Sequence, residues 1–315
     1  MIAPATRATS DRDVSTESPT AQRRSLGAYL LEATAANWIA SLLSIVYALF
    51  ITPIVIKALN KDLYGVWSFL NGLLAYSSLL YVGLGAAFIK YLSQYRATGD
   101  RASVTRLASA VLFIYGVIGL LCLVVSVALA GRIPALLARP LAPDDAHQTV
   151  TAFMLLGSRL LCMFLATVFS GVLIAEEKIA VTARVTIVAT IGRFIAVPLL
   201  IGHGSPLITL AIIMSISAAA EAVALTVLAL RFVPSLQLVP SVPTRDELRL
   251  LYGFGLKSFF IDVSAWLINY TDVVLIGLLI GASGAAVYSI PLQLVTYGRV
   301  VVQGMMSGLL PRHTA

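Results

Sequence analysis

Long apolar stretches separated by short polar connections dominate the chain. Eight of them are apolar for about twenty residues, which is long enough to cross a hydrocarbon layer as a helix. They begin near Ala36, Tyr64, Val104, Thr149, Ile179, Leu207, Gly253 and Ala285. Each span must satisfy its own backbone hydrogen bonds, and the runs are too continuously apolar for the strands of a barrel. The pattern predicts an all-α polytopic membrane protein with about eight transmembrane helices.

Composition supports this interpretation and argues against a nucleic-acid partner. Hydrophobic residues fill 59% of the 315 positions and charged residues only 12%, about half the charged share of an ordinary soluble domain. The chain carries 22 Lys and Arg against 15 Asp and Glu. These basic residues lie mainly between spans and are not interleaved with aromatic residues on one face, so no nucleic acid is expected as a partner.

The positions of the basic residues predict an orientation. Fifteen Lys and Arg residues fall on the side of the N terminus and four on the other side, while Arg159, Arg193 and Arg299 lie within spans. Since short loops rich in Lys and Arg stay in the cytoplasm, both termini are expected there.

Composition along the chain predicts four regions. Residues 1–25 are rich in Ser, Thr, Arg and Pro and are expected to be a disordered cytoplasmic tail. Residues 26–233 hold six spans, which form a first lobe. The Pro- and Ser-bearing residues 234–250 are expected to be a cytoplasmic linker, and residues 251–315 hold the first hairpin of a second lobe.

A weak internal repeat agrees with this division. A shift of 221 residues aligns five positions in the same order, namely Trp67 with Tyr288, Ser68 with Ser289, Leu73 with Leu294, Tyr76 with Tyr297 and Gly83 with Gly304. Transporters are commonly built from related repeats with the substrate site between them. Chance similarity in apolar sequence is the alternative to duplication.

The three intramembrane arginines are the first candidates for function, because charge is costly in hydrocarbon. Counted from the outer helix ends, Arg159 and Arg193 are expected at matching depth near the midplane, and Arg299 deeper. No acid of the first six spans is expected at the depth of Arg159 and Arg193. Guanidinium groups match phosphate oxygens, which favours an anionic ligand over the alternative of interhelical ion pairs.

Two acids within the spans have charge pairing as their first interpretation. Glu221 is expected to pair with Arg184 of the neighbouring span. Asp272 lies near the midplane of the seventh span, where it either compensates Arg299 or an arginine of the first lobe, or takes up a proton or cation if transport is ion-driven.

Uncharged polar residues form narrow faces on three spans. Asn37 and Ser41 share one face of the first span, Asn71 lies on a similar face of the second, and Asn269 on one of the seventh. Such faces either line an aqueous path or pack closely against another helix.

Five segments of the first two spans carry a resemblance to a known family: Asn37–Leu43, Thr52–Ile56, Leu59–Ser68, Gly83–Ala87 and Lys90–Asp100. They resemble the opening spans of bacterial polysaccharide or O-antigen flippases. Tyr270–Gly277 and Ala286–Ser289 are similar to the seventh span and the start of the eighth. The resemblance covers roughly Glu32 to the end.

This resemblance implies a fold and a function. Members of this exporter superfamily, which includes lipid II flippases and multidrug and toxin extruders, have two lobes of six helices around a central cavity. The present chain resembles the first lobe and the opening hairpin of the second, so it is expected to be truncated after the eighth helix, as a fragment or as one of two complementing chains.

The implied function is flipping of undecaprenyl-diphosphate-linked oligosaccharide across the bacterial inner membrane by alternating access, for surface polysaccharide such as lipopolysaccharide. The expected partners are the lipid-linked oligosaccharide, membrane lipids and other polysaccharide assembly proteins. Because no covalent step is needed, neither an enzyme nor a cofactor is expected. The expected substrate-binding residues are Arg159, Arg193, Arg299, Asn37, Ser41, Asn71 and Asn269. The alternatives are a drug or cation exporter of the same fold and a membrane-embedded polysaccharide polymerase or glycosyltransferase.

Overall fold

The computed structural model describes residues 19–80, 84–138, 140–234 and 242–309. Within these ranges the side chains are described from residue 35 to residue 299, except at residues 78, 80, 254–262, 265–266 and 297. Over these residues the secondary structure is helical, and the α-helices are α1 (Pro19–Ala75), α2 (Leu84–Ala97), α3 (Arg101–Ala130), α4 (Ile133–Leu136), α5 (Pro143–Ala175), α6 (Ile179–Leu200), α7 (Pro206–Phe232), α8 (Arg245–Leu279) and α9 (Ala282–Leu309). The predicted all-α fold is confirmed.

The helix α1 contains a sharp break at Asn60, where φ is 58° and ψ is 178°. The Asn60 side-chain oxygen accepts hydrogen bonds from the backbone N–H groups of Asp62 (3.0 Å) and Leu63 (3.1 Å), so it caps the second half of the helix. Thr52 and Tyr64 both contact Gln293 Oε1, at 3.5 and 3.3 Å. In a straight helix their twelve-residue separation would span about 18 Å, so the chain folds back at Asn60. The two halves of α1 therefore belong to the first and second predicted spans.

The second span continues beyond α1 with a change of helix type. A 3-10 turn, Tyr76–Leu80, follows α1, and α2 begins at Leu84. The predicted repeat position Gly83 lies outside the described residues.

Five helical segments among the described residues are long and apolar enough to cross a membrane: Ala35–Ala75, Arg101–Ala130, Pro143–Ala175, Ile179–Leu200 and Pro206–Phe232. The first of these holds the whole first span and the start of the second. A shorter apolar segment, Leu267–Leu279, lies in α8. Many of their large apolar side chains face outward, such as Val188, Ile216 and Val223, as expected where lipid replaces water. The chain is a multi-pass membrane protein.

The helices α1 to α7, called the first lobe below, pack around α5. The helix α5 contacts α3 on one side and α7 on the other. Gly157 of α5 lies against Ser126 of α3, where a Cβ atom would stand 2.5 Å from the serine Cβ. Small residues thus allow the two helices to approach closely.

The helices α8 and α9 correspond to the predicted first hairpin of a second lobe and are called the second hairpin below. They pack against α1 and α2. One apolar core joins Val55, Leu59 and Phe69 of α1 to Val274 of α8 and Ala286 of α9. A second core, built mainly from α2, α3 and α5, includes the fully buried Leu251 near the start of α8. The hairpin is therefore attached to the first lobe at two separate levels.

Ion pairs join the helix ends on one side of the bundle, called the basic face below. Arg96 pairs with Glu176 (3.2 Å) and Glu177 (2.7 Å), and Arg101 pairs with Glu176 (2.6 Å). A further pair, Arg106 with Glu247 at 3.2 Å, connects α3 to the first turn of α8. These contacts put the ends of α2, α3 and α5 and the start of α8 at one level.

The region boundaries predicted from composition stay predictions, although helices extend across them. The helix α1 begins at Pro19, before the expected end of the tail at residue 25, and α8 begins at Arg245, inside the expected linker. Thr244 and Glu247 form a capping box at the start of α8, which accounts for its beginning there. Residues 1–18 and 235–241 lie outside the described part of the chain.

Candidate functional site

Two intramembrane arginines come together inside the first lobe, Arg159 from α5 and Arg193 from α6. Arg193 Nη2 donates a hydrogen bond to Thr190 Oγ1 at 3.1 Å. The Arg193 guanidinium also lies over the ring of Tyr47 in α1, with 5.9 Å between its carbon and the ring centroid. Tyr47 in turn packs on Phe194, with 6.4 Å between ring centroids. Arg193 is therefore held by a hydrogen bond to Thr190 of its own helix and by the ring of Tyr47 in α1.

Arg159 has both a like and an opposite charge nearby. Its electrostatic partners are Arg193, Glu221 of α7 and Tyr47. Arg159 and Arg193 are both half-buried. We call the group formed by Tyr47, Arg159, Arg193 and Glu221 the arginine chamber.

The position of Glu221 corrects the expectation that no acid of the first six spans lies at the depth of Arg159. Ser215 of α7 donates to the Leu155 carbonyl of α5 at 2.8 Å, which places these two residues of parallel helices at one level. Arg159 is four residues beyond Leu155 and Glu221 six residues beyond Ser215. At 1.5 Å per residue their levels differ by only about 3 Å. Depth counted from the helix ends was wrong because α5 begins at Pro143, before the expected start of its span near Thr149.

The two arginines also differ in depth, contrary to the expected match. Glu221 Oε1 accepts a hydrogen bond from Thr186 Oγ1 of α6 at 3.2 Å, so these two residues share a level. Arg193 lies seven residues further along α6, about 10 Å from that level. The three charged residues thus lie at different depths, with Glu221 nearest the basic face, Arg159 next and Arg193 furthest from it. The predicted pair of Glu221 with Arg184 stays a prediction.

Two donors of the chamber are buried without a hydrogen-bond partner among the described residues, namely Tyr47 Oη and Arg193 Nε. Buried polar atoms are nearly always paired in proteins, so each such atom calls for an explanation. The described charges of the chamber, Arg159, Arg193 and Glu221, sum to plus one.

The third arginine lies elsewhere, in the second hairpin. Arg299 Nη1 of α9 donates to Asn269 Oδ1 of α8 at 2.7 Å, and Arg299 is exposed. Asp272 Oδ2 accepts a hydrogen bond from Tyr288 Oη at 2.5 Å. The structure thus joins Arg299 to Asn269, two of the predicted site residues, and joins Asp272 to Tyr288. Both predicted roles of Asp272, charge pairing and uptake of a proton or cation, stay predictions.

The predicted polar residues of α1 direct donors to their own helix. Ser41 Oγ donates to the Asn37 carbonyl at 2.9 Å, and Asn71 Nδ2 donates to the Trp67 carbonyl at 2.8 Å. Asn37 itself is exposed, whereas Ser41 and Asn71 are half-buried. Bonds to the carbonyl one turn earlier are the usual way in which such side chains are satisfied within an apolar helix.

A second polar region, called the interlobe seam below, joins α1 to the second hairpin. Gln293 Oε1 of α9 accepts from Thr52 and Tyr64, as described above. Ser289 Oγ of α9 donates to Ser68 Oγ at 3.0 Å. Sequence reasoning missed Gln293, although an amide within an apolar run is a visible signal. It also missed Tyr47, which has no signal of its own because tyrosine is common in apolar helices.

The seam contains contacts between positions that the 221-residue shift relates. Ser68 and Ser289 are equivalent under this shift and bond to each other. Thr52 contacts Gln293, and the equivalent pair Val273 and Gly72 is also close, since a Cβ at Gly72 would lie 3.8 Å from Val273 Cγ1. Reciprocal contacts of this kind are what a two-fold axis through Ser68 and Ser289 requires. The contacts agree with the predicted repeat, and duplication stays a prediction.

Comparison with known proteins places this fold. The family model "Polysaccharide biosynthesis protein" matches residues 31–314. No curated protein sequence matches the chain significantly.

Solved structures with the same fold include "Reverse polarity of binding pocket suggests different function of a MOP superfamily transporter from Pyrococcus furiosus Vc1 (DSM3638)". It is 15% identical with a TM-score of 0.66, covering 88% of this chain and 62% of that chain. "Outward-facing conformation of a multidrug resistance MATE family transporter of the MOP superfamily" is also 15% identical, with a TM-score of 0.67 over 88% of this chain and 62% of that chain.

The chain spans less than two thirds of each of these two structures. Its arrangement of helices is the fold of these two transporter structures. The chain belongs to the polysaccharide biosynthesis protein family.

Proposed function

We propose that this chain is part of a transporter that flips undecaprenyl-diphosphate-linked oligosaccharide across the bacterial inner membrane by alternating access. The observation that carries the proposal is the arginine chamber, which holds two half-buried guanidinium groups. Glu221 is the one carboxylate among the described electrostatic partners of Arg159. Membership of a polysaccharide biosynthesis family supports the same substrate class.

The chemistry of the chamber fits a diphosphate. Each guanidinium is a flat fork of donors that matches two phosphate oxygens, and it stays charged inside the membrane. The levels of Arg159 and Arg193 differ by about 7 Å when counted at 1.5 Å per residue, so each arginine can bind a different phosphoryl group. Glu221 offsets one charge when the ligand is absent, which lowers the cost of holding two cations in an apolar layer.

The charge of the chamber argues against the two alternative functions. A drug or cation exporter needs excess negative charge at its site, whereas the described residues of this chamber carry excess positive charge. A polymerase or glycosyltransferase needs a nucleophile or a general base, whereas the two arginines of the chamber stay protonated and can only bind and stabilise charge. Orientation with both termini in the cytoplasm belongs to the same proposal and rests on the distribution of Lys and Arg.

Binding of undecaprenyl diphosphate to the purified chain in lipid nanodiscs tests the proposal. We expect Arg159→Ala and Arg193→Ala each to weaken binding by about tenfold or more, since hydrogen bonds to charged groups contribute about 1.5 to 3 kcal/mol. Arg193→Lys keeps the charge and loses the fork, so it should bind with intermediate affinity. Equal affinity of both alanine variants and the unchanged chain would refute the proposal.

Export of surface polysaccharide by a full-length version in cells gives a second readout. The double variant Arg159→Ala with Arg193→Ala is expected to abolish export while protein levels in the membrane stay normal. Normal export would remove both arginines from the mechanism.

A further inference from the structure

Tyr47 is held in a fixed position at the wall of the arginine chamber. Its ring packs on Phe194 at 6.4 Å between centroids, and Phe50, one turn further along α1, packs on the same ring at 6.3 Å. The Arg193 guanidinium covers the Tyr47 ring. The ring is therefore fixed by two neighbours, and the direction of its hydroxyl group follows from that placement.

The Tyr47 hydroxyl lies in an electrostatic environment suited to an anionic ligand. Its oxygen is buried without a hydrogen-bond partner in the described part of the chain, and so is the neighbouring Arg193 Nε. Arg193 and Arg159 are both charges that act on Tyr47. The Tyr47 hydroxyl, the Arg193 guanidinium and the nearby charge of Arg159 together favour an anionic oxygen at this position.

Glu221, the acid of the chamber, makes its contacts at a different depth from Arg193. Glu221 acts on Arg159 and accepts from Thr186, about 10 Å in depth from Arg193 by the rise of α6. The Glu221 carboxylate is therefore placed to balance Arg159 and not to accept from the Tyr47 hydroxyl.

We propose that Tyr47 is a third ligand-binding residue of the chamber, whose hydroxyl donates a hydrogen bond to the phosphoryl group held by Arg193. This inference rests on the proposed function and adds a residue to its site. A neutral donor beside a cation adds a directional contact without adding charge, so Tyr47 favours a phosphoryl oxygen of defined position over a diffuse anion. The ligand chemistry is a diphosphate, carried either by a prenyl lipid or by free pyrophosphate.

The test compares Tyr47→Phe with the unchanged chain in nanodiscs, using inorganic pyrophosphate, undecaprenyl diphosphate and undecaprenol as separate probes. Phenylalanine keeps the ring, its packing on Phe194 and its contact with Arg193. We expect about tenfold weaker binding of both diphosphates and no change for undecaprenol. Tyr115→Phe is the matched control, since Tyr115 is a fully buried tyrosine of α3 that packs on Phe164 at 6.2 Å. It should leave every affinity within twofold.

The outcomes separate this inference from the proposed function. If Tyr47→Phe binds both diphosphates normally while Arg159→Ala and Arg193→Ala bind them poorly, the hydroxyl makes no contact with the ligand, the inference is wrong and the proposed function stands. If undecaprenyl diphosphate and undecaprenol both bind more weakly while pyrophosphate does not, the contact is with the lipid chain and the inference is also wrong. If the arginine variants bind normally as well, the proposed function and the inference fall together.

Discussion

The arginine chamber and the interlobe seam are both polar regions in an apolar bundle, but they use their polar groups differently. In the chamber, Tyr47 Oη and Arg193 Nε are buried donors without a described partner. In the seam, Gln293 accepts from Thr52 and Tyr64, and Ser289 donates to Ser68. The chamber therefore contains buried donors without a described partner, whereas the described oxygens of the seam bond to one another.

Under the proposed function, the chamber is the region that binds the ligand and the seam is the region that opens. The chamber is built within the first lobe, from α1, α5, α6 and α7, and its described charges leave an excess of one cation. The seam lies between the first lobe and the second hairpin and consists of neutral groups. A neutral hydrogen bond contributes only about 0.5 to 1.5 kcal/mol, because water replaces it when it breaks. Such bonds suit a surface that opens and closes during transport.

The largest expected effect is a loss of affinity for the ligand, which variants of the chamber should show and variants of the seam should not. The double variant Arg159→Ala with Arg193→Ala should weaken undecaprenyl diphosphate binding by about a hundredfold or more, since two charged contacts are lost. Gln293→Ala changes only the seam and should leave the affinity within twofold. Affinity is measured by titration in nanodiscs. Equal losses of affinity in both variants would contradict the distinction between the two regions.

The next effect concerns close packing at the seam. Gly65 of α1 lies against the backbone carbonyl of Ala282 at the start of α9, where no space for a Cβ exists. Gly65→Ala should therefore destabilise the attachment of the second hairpin by about 1 to 3 kcal/mol, as overpacking does.

The thermal unfolding midpoint of the purified chain measures this effect. Gly116→Ala in α3 is the control, because a Cβ there meets nothing within 4 Å. If Gly65→Ala melts no lower than Gly116→Ala, the two regions are not closely packed at the seam.

A smaller effect is expected at the basic face, where the second hairpin has its other polar attachment. The side chain of Arg106 is 65% exposed and that of Glu247 is 11% exposed, at 3.2 Å. Partly exposed ion pairs are worth up to about 1 kcal/mol. A double-mutant cycle with Arg106→Gln and Glu247→Gln should give a coupling of that size, decreasing at high salt. A coupling indistinguishable from zero at low salt would show that the apolar contacts of Leu251 alone hold this end.

The smallest effect lies at the exposed start of α3, outside both regions. Asp100 accepts from the Ser103 N–H at 3.0 Å, and its hydrogen bonds to Ser103 lower the pKa of its carboxyl. A carboxyl with a lowered folded-state pKa stabilises the fold above its unfolded pKa and loses that contribution as pH falls through the folded value. Hydrogen exchange at the Ser103 amide should therefore speed up, relative to other amides of α3, as pH falls below about 4. Asp100→Asn should show no such change with pH.

The sequence predicted the fold and part of the chamber because both follow from local patterns. Apolar length gave the spans, and the cost of buried charge singled out Arg159 and Arg193, which the structure brings together. The level of Glu221 could not be predicted, because the register between parallel α5 and α7 depends on packing and on the bond from Ser215 to Leu155. The role of Tyr47 could not be predicted for the same reason, since its partners are distant in sequence, whereas Gln293 was missed although an amide within an apolar run is a visible signal.

The most direct test of the central claim is photo-crosslinking of a diphosphate probe with a photoreactive group next to the phosphates, followed by peptide mapping. The probe is applied to the chain in nanodiscs with excess undecaprenyl diphosphate as competitor. If the arginine chamber binds the diphosphate, competable labelling falls on peptides of α1, α5 and α6 around Tyr47, Arg159 and Arg193. Competable labelling confined to α8 and α9 around Asn269 and Arg299 would contradict the account.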